Sequence, residues 1–240
     1  FYRDYIAGLV REDKKAVVGI VGLGYVGLPT ALSLSGEGTE VIGFDIYEAR
    51  LSAIKASRVD LLPRDRTRLA GALQDQLIRL TTEASDIAEA DAVVVCVPTP
   101  VDAHLTPDLT ALSAACATVV EHAKPGQTIV LTSTTYPGCT RELLVKPLQS
   151  RGMAAGRDVF IAFSPERIDP GVVEHAPERT PRVVGGVTEA CGQMAGGFLA
   201  HTASALHMVS SPEAAEMTKL VENTFRAVNL ALANESAAAA

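Results

Sequence analysis

Short apolar runs alternate with amphipathic segments over the first two thirds of the chain. The segment Ala16 to Val21 is a continuous apolar run of the kind that forms a parallel strand buried on both faces. Four further segments are predicted to be strands: Glu40 to Phe44, Leu77 to Leu80, Ala92 to Val97 and Thr128 to Leu131. Helical patterns lie between them: Leu28 to Ser35, Tyr47 to Ala56, Leu109 to His122 and Arg141 to Gln149. This alternation predicts an α/β fold with a doubly wound parallel sheet.

The pattern changes from about residue 157. Val159 to Phe163 and Arg182 to Val184 are predicted strands, and the segment Ser164 to Pro181 between them is a loop rich in Pro and Gly. A helix over Glu189 to Leu199 and a strand over Leu206 to Val209 follow. These elements predict an extension of the same α/β domain.

The last helix is predicted to begin at Ser211, a good N-cap residue, with Pro212 at the first helical position. It runs at least to Asn234, a length that suggests a spine between domains. We therefore expect residues 1–210 to form one domain with its extension, and residues 211–240 to begin a central helix.

Composition and charge exclude several classes of protein. With 48% hydrophobic and 20% charged residues, the 240-residue chain matches an ordinary globular protein. A net charge of -7 is unsuited to sequence-independent binding of nucleic acid, which needs a basic surface. No apolar run reaches the roughly 18 to 20 residues of a membrane helix, and the mixed charge at the N-terminus differs from a signal peptide. A cytoplasmic protein without nucleic-acid or membrane partners is expected.

The cysteines and histidines show no spacing typical of a metal site. The four cysteines have no CxxC motif, and a chain of this size does not need disulfides, so reduced thiols are expected. Cys96 lies at a predicted strand end and could be taken for a nucleophile. Its position in an apolar run is more typical of a core residue.

The first predicted strand leads directly into the GxGxxG motif of Gly22 to Gly27, before a helix. Gly22 permits the tight turn, Gly24 lets the backbone approach a pyrophosphate, and Gly27 allows close packing of helix on strand. Phosphates would lie at the helix N-terminus, so the whole motif, Tyr25 and Val26 included, is the candidate cofactor site of a Rossmann-like domain. The alternative is a glycine-rich turn that binds no ligand.

Asp45 bears on the choice of cofactor. It ends the second predicted strand, where an acidic side chain binds the adenosine ribose diol and repels a 2'-phosphate, which favours NAD over NADP. Arg50 is close enough in sequence to hold such a phosphate, or it is a solvated helix residue.

The final helix presents two different faces. Lys219, Asn223 and Arg226 share one face at i, i+4 and i+7. An apolar stripe occupies another face: Met217, Val221, Phe225 and Val228. The polar face is either solvated or free for chemistry.

Glu166 and Arg167 follow a predicted strand, where α/β folds place ligand-binding residues. A surface ion pair is the alternative, but the flanking prolines hold this loop in a defined shape. Thr134 either donates a hydrogen bond near a reacting group or caps the following helix.

Five stretches in order resemble the UDP-glucose and UDP-N-acetylhexosamine 6-dehydrogenase family. They are Gly22 to Pro29 (GLGYVGLP), Val95 to Pro100 (VCVPTP), Ser133 to Gly138 (STTYPG), Phe163 to Gly171 (FSPERIDPG) and Lys219 to Asn229 (KLVENTFRAVN). The fourth is similar to the SPERxxPG substrate loop of the N-acetylhexosamine branch. The resemblance covers nearly the whole chain, from about Val17 to Glu235.

This resemblance implies NAD-dependent oxidation of C6 of a nucleotide sugar, UDP-N-acetylhexosamine or UDP/TDP-glucose, to the uronic acid. It places Thr99 and Thr134 near the cofactor. Lys219 and Asn223, with Thr134, would position the alcohol and stabilise developing charge, while Glu166 would handle the water that attacks a thioester. The implied substrate contacts are Phe163, Glu166, Arg167, Lys219, Asn223 and Arg226.

The chain departs from the family in one respect. The family's nucleophilic cysteine lies in a Gly-Gly-x-Cys type motif downstream of the central helix, followed by a second α/β domain that holds the nucleotide. Neither occurs in residues 1–240, so these residues alone are not expected to complete the oxidation. The resemblance also implies a homodimer through the central helix. A β-hydroxyacid dehydrogenase relative and a non-catalytic NAD-binding module remain alternatives.

Overall fold

The computed structural model describes residues 16–36, 39–167 and 180–239. Within these residues one sheet contains β1 (Val17–Val21), β2 (Glu40–Phe44), β3 (Ile78–Thr81), β4 (Ala92–Val95), β5 (Thr128–Leu131), β6 (Phe160–Phe163), β7 (Arg182–Gly186) and β8 (Leu206–Val209). Their order across the sheet is β3-β2-β1-β4-β5-β6-β7-β8. Strands β1 to β6 are parallel, which confirms the doubly wound fold. The order reverses between β1 and β4, the point at which such folds bind ligands.

The helices cover both faces of the sheet. The α-helices described are α1 (Gly27–Gly36), α2 (Glu48–Lys55), α3 (Pro63–Gln74), α4 (Thr110–His122), α5 (Lys146–Ser150), α6 (Glu189–Leu199) and α7 (Pro212–Ala239). A π-helical segment, Arg141–Val145, leads directly into α5, and short 3-10 helices span Ala84–Glu89 and Ala200–Thr202.

The inner strands are apolar at nearly every position because helices bury both faces of the sheet. Along β1, Val17 and Val21 pack into the core beneath α4 and α5, whereas Val18 and Ile20 pack into the core beneath α1 and α2. Alternate side chains of a strand point to opposite faces. A continuous apolar run is therefore what a strand in this position requires.

The predicted strands and helices agree with the structure to within about two residues at each end, and one α-helix was not predicted. The helix that was not predicted is α3. Its first residues, Pro63 and Asp65, are typical of a helix start, but four charged residues in its first two turns make the apolar periodicity of Leu69 and Ala72 difficult to recognise in the sequence. Strand β4 ends at Val95 instead of Val97, because the Val97 amide donates to the Ser133 hydroxyl (3.0 Å) and leaves the ladder. Strand β3 is shifted by one residue.

Strand β7 is antiparallel to β6, and β8 is parallel to β7. The doubly wound sheet is therefore parallel from β1 to β6, and the last two strands run in the opposite direction. A parallel connection needs a crossover, usually a helix, and the segment between β6 and β7 carries no helical pattern. The reversal brings the start of β7, at Arg182, to the same edge as the end of β6.

Helix α7 begins as the sequence predicts. The Ser211 hydroxyl accepts the Ala214 amide at 3.2 Å, as an N-cap does. Burial is confined to the first turns, at Pro212, Ala215 and Glu216. From Met217 onward the apolar stripe is exposed, with Phe225 at 71%. Among the helices described, none combines the length and apolar content needed to span a membrane.

Candidate functional site

The glycine-rich turn joins the end of β1 to α1. The Gly22 amide donates to the Phe44 carbonyl at 2.9 Å, and Gly22 has a φ of +89°, in the region that favours glycine. A Cβ on Gly27 would overlap the Gly22 carbonyl oxygen. A Cβ on Gly24, in contrast, would meet no protein atom within 4 Å. Packing requires Gly22 and Gly27, whereas at Gly24 the backbone faces open space, as the close approach of a pyrophosphate would require.

Asp45 is fixed against this turn. Its carboxylate accepts the Leu23 amide at 2.9 Å through Oδ2 and the Tyr47 amide at 3.0 Å through Oδ1. Arg50 lies alongside and donates from Nε to the Leu23 carbonyl at 2.8 Å. Arg50 is thus tied to the turn and is not the solvated helix residue that we considered.

The other candidate cofactor residues lie at the same edge of the sheet. Tyr25 is 70% exposed, Val26 is half-buried in the turn, and its carbonyl accepts the Thr30 hydroxyl at 2.9 Å. Thr99 is half-buried in the segment that follows β4. This edge is where the carboxyl ends of β1 and β4 meet, next to the switch point.

The loop Ser133 to Pro137 follows β5 and is bound to the end of β4. The Ser133 hydroxyl donates to the Val97 carbonyl at 2.8 Å and accepts the Val97 amide. Thr134 is half-buried in this loop. The amides at the start of the following helical segment, those of Gly138 and Thr140, are bound by Glu216 from α7. The capping role considered for Thr134 is therefore filled by another residue.

Cys96 is a buried core thiol. Its sulfur lies 3.2 Å from the Thr132 hydroxyl, and burial raises the pKa of the Cys96 thiol to about 12. A thiol with this pKa is almost entirely protonated near neutral pH, so it is a poor nucleophile. Within the residues described, no group of three or more His, Cys, Asp or Glu side chains could hold a metal ion.

Glu166 lies just past the end of β6 and is 8% exposed. Its Oε1 accepts the Arg167 amide at 2.8 Å, and its Oε2 forms an ion pair with the Arg182 guanidinium. Its backbone carbonyl accepts a hydrogen bond from Lys219 Nζ at 2.9 Å. The structure therefore joins two of the motifs that lie far apart in sequence.

Arg182 is a residue that the sequence analysis missed as a candidate for the site. It is 1% exposed, and its Nε and Nη1 atoms have no hydrogen-bond partner among the described residues. A buried guanidinium requires an anionic partner, which Glu166 supplies. The signal in the sequence was a single Arg at the start of the apolar run of β7.

Lys219 is half-buried beside several charges. Burial lowers the pKa of the Lys219 ammonium; the nearby Glu222 acts in the opposite direction, and Arg226 acts with burial. Glu222 forms an ion pair with Arg167, and the Arg167 guanidinium also donates to the Pro181 carbonyl at 3.4 Å. Because Glu166 accepts hydrogen bonds from both Arg167 and Lys219, these three residues form one connected cluster.

The remaining candidates are placed differently. Asn223 and Arg226 follow Lys219 on α7 and are exposed. Phe163 is fully buried in the core beneath α4 and α5, so any contact of Phe163 with a substrate would come from its backbone. The part of the SPERxxPG stretch from Ile168 to Gly171 lies outside the described residues.

Comparisons with known proteins agree with this geometry. The profile of the UDP-glucose/GDP-mannose dehydrogenase family, NAD binding domain, matches residues 16–203. The chain belongs to this family. Residues 16–203 are its NAD-binding domain, and the cofactor is NAD.

Two curated relatives and one solved structure illustrate the match. CapL of Staphylococcus aureus is 40% identical over 92% of this chain and 51% of CapL. The UDP-N-acetyl-D-glucosamine 6-dehydrogenase of Pseudomonas aeruginosa is 36% identical over 93% of this chain and 53% of that protein. The UDP-D-ManNAc dehydrogenase structure from Pyrococcus horikoshii has a TM-score of 0.85 at 32% identity, covering 91% of this chain and 52% of that one. The chain spans about half the length of the curated relatives it matches.

The β-hydroxyacid dehydrogenase alternative is not favoured. A 3-hydroxyisobutyrate dehydrogenase of Mycobacterium tuberculosis matches with a TM-score of 0.61 at 20% identity. At that identity the likeness shows a shared fold alone.

Proposed function

We propose that the enzyme to which this chain contributes oxidises C6 of a UDP-N-acetylhexosamine to the carboxylate, with NAD as the oxidant. The names of several similar proteins, among them UDP-N-acetyl-D-glucosamine and UDP-N-acetyl-D-mannosamine dehydrogenases, support this substrate class. The similarity of residues 164–167 (SPER) to the substrate loop of the N-acetylhexosamine branch supports the same substrate class. UDP- or TDP-glucose is the second candidate.

The position of Lys219 and its lowered pKa are the main support for the proposal. Its Nζ is held at 2.9 Å from the Glu166 carbonyl, and burial lowers its pKa. A lysine of lowered pKa has a larger neutral fraction near neutral pH, and such an amine accepts a proton readily. Lys219 can therefore take the proton of the C6 hydroxyl, after which its positive charge stabilises the oxygen that loses it.

The residues of the glycine-rich turn fit NAD. The open space at Gly24 admits the pyrophosphate, and the fixed carboxylate of Asp45 is available to the adenosine ribose. Bound NAD supplies the hydride acceptor in each of the two oxidations. Thr99, Thr134 and Arg50 are proposed to contact the cofactor.

Other residues of the cluster are assigned supporting roles. Asn223 is proposed to share the C6 oxygen with Lys219, and Arg167 and Arg226 to bind the sugar. Glu166 is proposed to orient the water of the final hydrolysis. Its carboxylate is already held by Arg182 and by the Arg167 amide, so the orientation of any water bound to it is restricted.

Turnover by the full-length gene product tests the proposal. With NAD and a panel of UDP-N-acetylhexosamines, UDP-glucose, TDP-glucose and GDP-mannose, we expect two NADH per sugar oxidised with at least one UDP-N-acetylhexosamine. The isolated 240-residue chain should bind NAD without completing the oxidation. NAD binding without NADH formation from any sugar by the full-length protein would favour the non-catalytic module instead.

A further inference from the structure

Glu216 is a buried carboxylate that belongs to none of the motifs considered so far. It has no exposed surface, yet it lies on α7, of which most residues are exposed. Its Oε1 accepts the Thr140 amide at 2.8 Å and the Thr140 hydroxyl at 2.6 Å. Its Oε2 accepts the Gly138 amide at 2.6 Å. Three donors from a single short segment therefore surround this carboxylate.

A buried carboxylate is costly unless its lone pairs are bound, and here the donors include free amides at a helix start. Amides at that position carry partial positive charge, which stabilises an anion. The contact is therefore both strong and directional. It fixes one point of α7 against the segment Gly138 to Thr140.

The two ends of this contact lie next to two groups of candidate site residues. Gly138 directly follows the loop Ser133 to Pro137, which carries Thr134. Glu216 lies three residues before Lys219, so both side chains leave the same side of α7. Lys219 is itself bound to the Glu166 carbonyl. The helix is thus held at two points one turn apart, one at Gly138 and Thr140, directly after the Thr134 loop, and one at the Glu166 carbonyl.

We propose that Glu216 is a positioning residue for hydride transfer, which fixes Lys219 at the correct distance from the Thr134 loop. This inference rests on the proposed function, in which Lys219 holds the C6 oxygen and the Thr134 loop contacts the cofactor. The positions of the proton acceptor and the hydride acceptor relative to each other must then be correct to within a fraction of an ångström, because a misplacement of about 1 Å can slow a reaction roughly 100-fold.

A neighbouring contact provides a matched control. Glu213, one turn before Glu216, forms an ion pair with Arg141 at 2.5 Å, but both side chains are about a third or more exposed, at 33% and 42%. An exposed pair of this kind contributes little. Glu213→Gln removes an acid from the same helix and the same interface without touching the buried contact.

The test uses the full-length gene product in single-turnover NADH formation at saturating NAD and nucleotide sugar. Glu216→Gln keeps the size of the side chain, but its NH2 group cannot accept a hydrogen bond from the backbone amide that it would face. We expect its rate constant for the first hydride transfer to fall on the order of 10- to 100-fold, with the NADH amplitude and the apparent KM for both substrates within about threefold of wild type. Glu213→Gln should keep the wild-type rate constant.

The separation of rate constant from amplitude makes the inference falsifiable. If Glu216 serves only folding, the variant loses amplitude in proportion to its inactive fraction, and the remaining enzyme reacts at the wild-type rate; that result overturns the inference and leaves the proposed function intact. If Glu216→Gln does not fold, Thr140→Val should show the lowered rate constant, and Thr140→Ser, which keeps the hydroxyl, should not. A wild-type enzyme that forms no NADH from any nucleotide sugar refutes the proposed function, and this inference with it.

Discussion

At the scale of single residues, the cofactor end of the site is built from side chains that bind backbone. Asp45 uses both carboxylate oxygens on the amides of Leu23 and Tyr47, and Arg50 binds the Leu23 carbonyl. The carboxylate is therefore oriented before a dinucleotide arrives. We propose that its remaining lone pairs bind the ribose diol of NAD and that its charge opposes a 2'-phosphate.

We expect the chain to bind NAD at least tenfold more tightly than NADP, a difference of about 1.4 kcal/mol. Asp45→Asn should reduce this preference to less than about threefold, because the amide lacks the charge that repels the phosphate. Isothermal titration calorimetry measures both affinities. Glu48→Gln, which removes a nearby exposed acid at the start of α2, should keep the preference. Equal affinities in the wild-type chain would contradict the assignment of Asp45 to the ribose.

The lowered pKa of Lys219 implies that the free energy of unfolding depends on pH. Its pKa is lowered in the folded chain and returns to about 10.4 on unfolding. Between these two values the unfolded chain binds more protons, so this residue's contribution to the free energy of unfolding rises with pH. The cost of burying the ammonium is present in full below the folded pKa and is relieved above it. The free energy of unfolding of the wild type, relative to that of Lys219→Met, should therefore rise as the pH is raised towards about 10.4.

Urea denaturation across this pH range provides the measurement. The matched control is Lys55→Met, which removes an exposed lysine of α2, and its difference from wild type should stay constant. A constant difference for Lys219→Met as well would show that burial does not disfavour the ammonium.

At the scale of secondary-structure elements, Glu166 and Arg182 hold the end of β6 and the start of β7 together. The pair is buried, with Arg182 1% and Glu166 8% exposed. Breaking a buried pair by removing one partner leaves the other charge uncompensated. The same pair holds the candidate carboxylate, so stability and placement of the site depend on one contact.

We expect Arg182→Met and Glu166→Gln each to lower the free energy of unfolding by about 3 to 5 kcal/mol. The double variant should lose clearly less than the sum, since neither charge is then left alone. Urea denaturation of the four proteins completes the cycle. Arg79→Met, which removes a cation paired at the surface with Asp86 and Glu89, should cost less than about 1 kcal/mol. Additive losses for the buried pair would contradict the expected coupling.

Elements with a clear period could be predicted from the sequence, and those governed by distant contacts could not. The boundaries of β2, β5, α6 and β8 are as predicted, because each is a short apolar or amphipathic run with polar neighbours. The direction of β7 depends on a connection that has no period. The pairing of Glu166 with Arg182, and of Glu216 with Thr140, joins residues whose spacing follows no motif. The GxGxxG turn, in contrast, is a local device, so its conformation was predictable.

At the scale of the whole molecule, α7 extends away from the sheet with an uncovered apolar stripe. Met217, Val221, Phe225 and Val228 are between 48% and 71% exposed. Contiguous apolar surface of this kind marks an interaction site. We propose that it is the dimer interface that the family resemblance implies.

We expect the chain to sediment as a dimer, and Phe225→Glu to shift it to a monomer, because a buried charge without a partner is unfavourable. Asn234→Glu adds the same charge to another side of α7 and should leave the dimer intact. Sedimentation velocity separates the two forms. A wild-type chain that sediments as a compact monomer and binds no hydrophobic dye would refute the proposed interface.

Helix α7 is 28 residues long but is buried only within its first five, from Pro212 to Glu216. At a rise of about 1.5 Å per residue, roughly 35 Å of helix lies beyond Glu216, and the contacts of Glu216, Lys219 and Glu222 anchor only its first turns. A tilt of about 3° of these anchored turns moves the far end by roughly 2 Å. A small displacement caused by a substitution at Gly138 or Thr140 would therefore become larger towards the end of the helix. Such a substitution would change the position of the proposed dimer interface, although it lies far from it in sequence.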